Sequence, residues 1–155
     1  MSAVISDGVP MTAAADSFDD LVARAEQAVA RLQGQFEENM QRRLQGLPEL
    51  FERRWRPLAS RRAAVQELRR INHDIKGEAG TFGYDILGDI AELFSAYLRE
   101  VSAEAQSEPT VSRYVDALAD VWTRRLVGDG GEPGRRLLVD LARLNPAAST
   151  DLPRQ

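Results

Sequence analysis

Between Phe18 and Leu44, apolar residues recur at Phe18, Leu21, Val22, Ala25, Val29, Leu32, Phe36, Met40 and Leu44. Steps of three and four sustained over that distance belong to one amphipathic helix of many turns, since a strand would need strict alternation. Ser17 and Asp20 have the spacing of a capping box at its start. Gly46 and Pro48 read as its end, and a short helix from Pro48 to Arg56 then buries Leu50, Phe51 and Trp55 before Pro57 stops it.

The same period returns three more times. Val65, Leu68, Ile71, Ile75, Ala79 and Phe82 share one arc of a helix over 59–82, with Gly83 suited to a left-handed cap and Asp85 placed to cap the next helix. Leu87, Ile90, Phe94, Tyr97, Leu98 and Val101 mark a helix over 86–105. Val111, Tyr114, Val115, Leu118, Val121, Trp122 and Leu126 mark another, closed by the glycine-rich loop 128–131, and a short helix follows over 133–144. No strand pattern competes. The expected fold is all-α, an antiparallel four-helix bundle with extra short helices. The bundle is one domain over 17–145, between a flexible lead at 1–16 and a tail at 146–155.

Composition narrows the chemistry. A chain of 155 residues buries roughly 70% of its unfolded surface, enough for a core without metals or disulfides. With no cysteine and one histidine, thiolate chemistry and imidazole- or thiolate-based metal sites lack their ligands, and a reducing compartment fits. A net charge of −4 argues against nucleic acid. Neither a secretory signal nor a run of the ~20 apolar residues that span a bilayer occurs, so a cytoplasmic protein with no membrane partner is expected.

The single histidine, His73, and the single lysine, Lys76, stand three residues apart, while the other basic charges are all arginine. His73 points about 140° away from the centre of its helix's apolar arc. Its own face carries Gln66, Arg69, Arg70, Lys76, Gly77 and Gly80 at offsets of three, four and seven. The cations suit an anion held at the ring. Each glycine costs about 1 kcal/mol against alanine inside a helix, so two together suggest a face kept low for another protein. A helix simply ending at those glycines, or an ordinary surface histidine, fits the same spacing. Asn72 falls at the edge of the buried arc and needs a hydrogen-bond partner. Seven arginines crowd residues 53–70 against Glu67 alone, and an acidic stretch follows over 85–108. The arginines read either as a docking surface for an acidic partner or as a solvated face with neutralising neighbours.

The run His73-Asp74-Ile75-Lys76-Gly77-Glu78-Ala79-Gly80-Thr81-Phe82-Gly83, with Leu87 beyond it, resembles the signature of histidine-containing phosphotransfer (HPt) domains. The resemblance implies a four-helix bundle with the phosphoacceptor histidine exposed on its middle. It implies a phosphorelay intermediate that takes a phosphoryl group on Nε2 of His73 from an aspartyl-phosphorylated receiver domain and passes it to another. Lys76 would then steady the phosphoryl oxygens, and Gly77 and Gly80, with Gln66, Arg69 and Arg70, would receive the partner. The implied partners are receivers of response regulators or hybrid kinases. The protein itself would be a monomeric carrier with no cofactor or autonomous kinase activity, any Mg²⁺ belonging to the receiver. An alternative is a helical adaptor or inhibitor that binds a receiver or sensor kinase without phosphotransfer. A dimeric phosphotransferase like the dimerisation domain of sensor kinases is a third reading, which the long first helix could serve.

Overall fold

A computed structural model describes residues 17–146, and among them all regular structure is helical. The lead expected at 1–16 and residues 147–155 of the expected tail lie outside the described residues. The elements are α1 (Phe18–Leu50), a π-helical turn (Phe51–Trp55), α2 (Leu58–Ala79), α3 (Asp85–Glu100), a 3-10 turn (Ala103–Ala105), α4 (Glu108–Thr123) and α5 (Gly131–Ala142). The chain divides into two compact units after Glu37, inside α1.

The described part of the first unit opens with the expected capping box. Asp20 N donates to Ser17 Oγ at 3.2 Å and Ser17 N to Asp20 Oδ2 at 3.3 Å, satisfying two helix-end donors reciprocally. Phe18, Leu21, Val22, Val29 and Leu32 are exposed on it, whereas Phe36 is buried.

In the second unit α2 packs on α3 and α3 on α4, and α5 packs on α3 and α4. The remainder of α1 is tied to α2 by Arg43–Glu78 and to α4 by Trp122 Nε1, which donates to Gln41 Oε1 at 2.6 Å. Gly46 and Pro48 do not end α1, contrary to the expectation from sequence. A proline inside a helix costs about 3 kcal/mol, but Met40, Leu44, Leu47 and Leu50 are all buried along one side. Each such side chain contributes roughly 1.5–3 kcal/mol, so burial wins. The expected separate short helix is instead a continuation of α1 through the wide turn, where Arg56 N donates to Phe51 O at 2.9 Å. That turn brings Phe51 and Trp55 inward with their rings stacked at 5.0 Å.

Trp55 has a role that its sequence context does not disclose. Its Nε1 donates to Gln106 Oε1 at 2.9 Å, and Gln106 Nε2 donates to the carbonyls of Val101 at 3.1 Å and Leu98 at 3.4 Å. Arg61 lies 4.0 Å from the centre of a Trp55 ring and donates to the carbonyls of Trp55 at 2.8 Å and Arg56 at 3.0 Å. The turn therefore clasps the start of α2 to the connection between α3 and α4.

At the other end α2 leaves through a Schellman motif. Gly83 takes φ 85°, Tyr84 N donates to Ala79 O at 2.8 Å, and Gly83 N donates to Gly80 O at 3.3 Å. Asp85 is the first residue of α3 and makes no capping hydrogen bond, because Tyr84 occupies the cap position. The orphan N–H of Ile86 is met from outside the helix, by Gly128 O at 2.7 Å, while Gly128 N donates back to Gly83 O at 2.7 Å. The loop before α5 thus completes the α2–α3 corner. Gly134 makes this approach possible, since a Cβ there would stand 2.4 Å from the Asp129 carbonyl oxygen. Tyr114 OH donates to Leu141 O at 2.9 Å and holds α5 to α4.

Two outcomes are expected. Gly83→Ala places a Cβ in the left-handed region and lowers stability in denaturant by about 1–2 kcal/mol. Burial first, then the charges of Tyr97 and Glu100, push the Tyr114 phenol up from 10.0 to about 12. Its stabilising contribution is full below pH 10.0 and is lost as pH rises through about 12. Tyr114→Phe is therefore less stable than the parent near neutrality by about 1 kcal/mol, and alkaline unfolding curves of the two converge.

Candidate functional site

The pitch of α2 sorts its residues. Val65, Leu68, Asn72, Ile75 and Ala79 are buried, and His73, Lys76, Gly77 and Gly80 are exposed. Behind the exposed face, Arg43 on α1 grips Glu78 with two hydrogen bonds of 2.6 and 2.8 Å, fixing the last turn of α2.

His73 opens onto a shallow groove lined by Gln66, Arg69, Arg70, Asn72 and Lys76 of α2 and by Glu92, Ser95 and Arg99 of α3. Four of the expected site residues, Gln66, Arg69, Arg70 and Lys76, are thus brought around the imidazole. The groove holds four cations against one carboxylate. That carboxylate, Glu92, is ion-paired with Lys76. Asp89, one turn earlier, is held above its ordinary range by desolvation first and then by Asp85, with Lys76 pulling the other way. Lys76 therefore rests against an acidic edge of α3, on a flexible stem whose charge can be redirected. Arg70 sits 3.9 Å from Asp74, and Arg69 has no acidic partner among the described residues.

Gly77 and Gly80 do not line the groove but extend its rim along α2. A Cβ built on Gly77 meets nothing within 4 Å, and one on Gly80 meets only Asp85 Oδ1 at 3.9 Å. No internal neighbour demands either glycine. The low surface they leave faces outward.

Sequence reasoning overlooked the α3 wall. Glu92, Ser95 and Arg99 lie three and four residues apart, so they share a face, and Arg99 is the one base on that acidic helix. Asn72 is fully buried with neither Oδ1 nor Nδ2 bonded to protein, so the partner it was expected to need is not supplied by the fold.

The arginine run of 53–70 is mostly neutralised. Arg53 pairs with Glu49, Arg54 with Glu67, Arg56 with Glu52 and Glu108, and Arg62 with Glu104. The acidic stretch after α2 supplies two of these carboxylates. A solvated face with paired neighbours describes these arginines better than a docking surface, and only Arg69 and Arg70 reach the histidine's groove.

Among the described residues no helix is long and apolar enough to cross a membrane. No cluster of three or more His, Asp or Glu side chains among them is placed to hold a metal. No curated protein and no solved structure matches the chain. The Hpt domain profile matches residues 15–124, which include α1 to α4 and every residue of the groove. On that match the chain belongs to the Hpt domain family, whose members carry out histidine phosphotransfer in two-component signalling.

Proposed function

We propose that the chain relays a phosphoryl group between aspartyl-phosphorylated receiver domains through His73. The observation that carries this reading is an exposed imidazole among four cations, bordered by glycines that no internal contact requires. A ring nitrogen of His73 attacks the phosphorus of the receiver's acyl phosphate in line. The N–P bond forms as the acyl P–O bond breaks, and the receiver's aspartate leaves as a carboxylate with the bonding electrons. A second receiver's aspartate reverses the step. Such transfer needs positioning and charge neutralisation more than covalent assistance.

The residues divide that work. Lys76 exchanges Glu92 for a phosphoryl oxygen, and Arg69, Arg70 and Arg99 keep the groove positive as negative charge arrives. Gln66 borders the partner's footprint. Gly77 and Gly80 let the receiver's surface approach the ring. The donor set around His73, one carboxylate already paired with a lysine, suits phosphoryl oxygens and not a metal, so the Mg²⁺ of the reaction is assigned to the receiver. The protein is accordingly a carrier and not a kinase. Its partners are receivers of response regulators or hybrid kinases, and the cysteine-free composition suits their cytoplasmic compartment.

The test is receiver-dependent transfer measured for the parent, His73→Gln and Gly77→Gln. His73→Gln is expected to bind a receiver but accept no phosphoryl group. Gly77→Gln fills open space with a better helix former, so it gains about 0.5–1 kcal/mol in stability while transferring at least tenfold more slowly. Full-speed transfer by Gly77→Gln would return the glycines to a mere helix exit. Transfer surviving in His73→Gln would remove the histidine from the chemistry.

A further inference from the structure

The last helix, α5, lies beyond the residues that the Hpt profile matches, so family membership accounts for none of its side chains. It runs beside α3 in the same direction. At one end a Cβ built on Gly134 would stand 3.3 Å from Ile86 Cδ1, and at the other Asn145 Nδ2 donates to Glu100 Oε2 at 2.8 Å. On α3 the side toward α2 is marked by Gly88, where a Cβ would meet Lys76 O at 3.7 Å and Ala79 Cβ at 3.8 Å. Positions 86 and 88 stand about 160° apart around a helix. α2 and α5 therefore flank α3 on opposite sides, in one layer.

The outward side of that layer is shared. On α2, His73 stands about 90° around from the midpoint of Lys76 and Ala79, the residues against α3, so it points out of the layer. On α3 the seven-residue row Asp85, Glu92 and Arg99 is exposed on the same side, and Glu92 and Arg99 line the histidine's groove. Beyond this row a second groove opens, formed by Leu93 of α3 with Leu138, Val139 and Ala142 of α5, and edged by Asp89 and Glu92. Val139 is 50% exposed and the other three apolar side chains are half-buried. Glu92 belongs to both grooves, which makes them one continuous surface.

Size and charge indicate what lies across it. Packed helices are about 8–10 Å apart, which puts α5 roughly 20 Å from α2. One partner's share of a standard interface, roughly 800 Å² or about 30 Å across, includes both. Between the grooves, Asp85 and Asp89 make no ion pair among the described residues, and desolvation, ahead of the neighbouring Asp85, holds Asp89 above its ordinary range. A partner's cation placed there would relieve both carboxylates.

Resting on the relay reading above, we propose that the receiver that reaches His73 also seats an apolar side chain between Leu93 and Val139 and sets a lysine or arginine against Asp85 and Asp89. Through this contact α5 selects which receivers the chain serves.

The test is transfer from an aspartyl-phosphorylated receiver to the parent, Val139→Asp and Asp89→Asn, followed as a function of receiver concentration and salt. Both substitutions alter exposed positions, and circular dichroism is expected to show the parent's helix content. Val139→Asp puts a carboxylate in the apolar groove, so the half-saturating receiver concentration rises about tenfold while the rate at saturation stays that of the parent. Asp89→Asn weakens the salt dependence of transfer, as loss of one charged contact requires. A parent that takes no phosphoryl group from any receiver overturns the relay reading and this inference with it. Transfer to the parent that Val139→Asp matches at every receiver concentration overturns this inference alone. So does a parent dimer that Val139→Asp dissociates without slowing transfer, since a second copy of the chain then fills the groove.

Discussion

Burying Leu68, Asn72, Ile75 and Ala79 against α3 leaves α2 no freedom in what its opposite face presents. At 3.6 residues per turn, that inward row sends His73, Lys76, Gly77 and Gly80 outward together. The Arg43–Glu78 pair and the Schellman corner at Gly83 then lock the last turn, so the face is held by groups that point away from it. A site built this way keeps its reactive side chain on a rigid element while every supporting contact stays behind it. The one irregularity sits beside the histidine, where Asn72 is buried without a protein partner. Violations of local rules gather at functional positions, and this one adjoins the proposed phosphoacceptor.

Electrostatics separates this face from the rest of the surface. Arginines are abundant, yet most of those near α2 are matched to carboxylates from α1, α2, α4 and the connections between them. Exposed pairs of that kind contribute little stability each, but they cancel the field over most of the bundle. The groove at His73 is the exception, with four cations and one carboxylate. An incoming phosphoryl group adds negative charge where the molecule has left positive charge in excess.

Much of this was legible in the sequence because it is local. The capping box of Ser17 and Asp20, the left-handed Gly83 and the outward direction of His73 each follow from residues a few positions apart. What was not legible depends on contacts distant in sequence. Pro48 looks like a helix end until Leu44, Leu47 and Leu50 are seen buried on either side of it. Trp55 has no evident purpose until Gln106 arrives from the far side of α3. Asp85 is a plausible cap, but the loop at Gly128 reaches Ile86 and meets the need another way. Arg99 and Ser95 join the site only because α3 packs alongside α2, which no spacing within α2 can announce.

The central claim is that His73 itself takes up the phosphoryl group. It is tested most directly by incubating the chain with an aspartyl-phosphorylated receiver and localising the label by peptide mass spectrometry under alkaline conditions. The account predicts one acid-labile phosphoryl group per chain, on the peptide holding His73 and Lys76. Stable binding of the receiver with no phosphoryl group on that peptide would contradict it and leave a helical adaptor in its place.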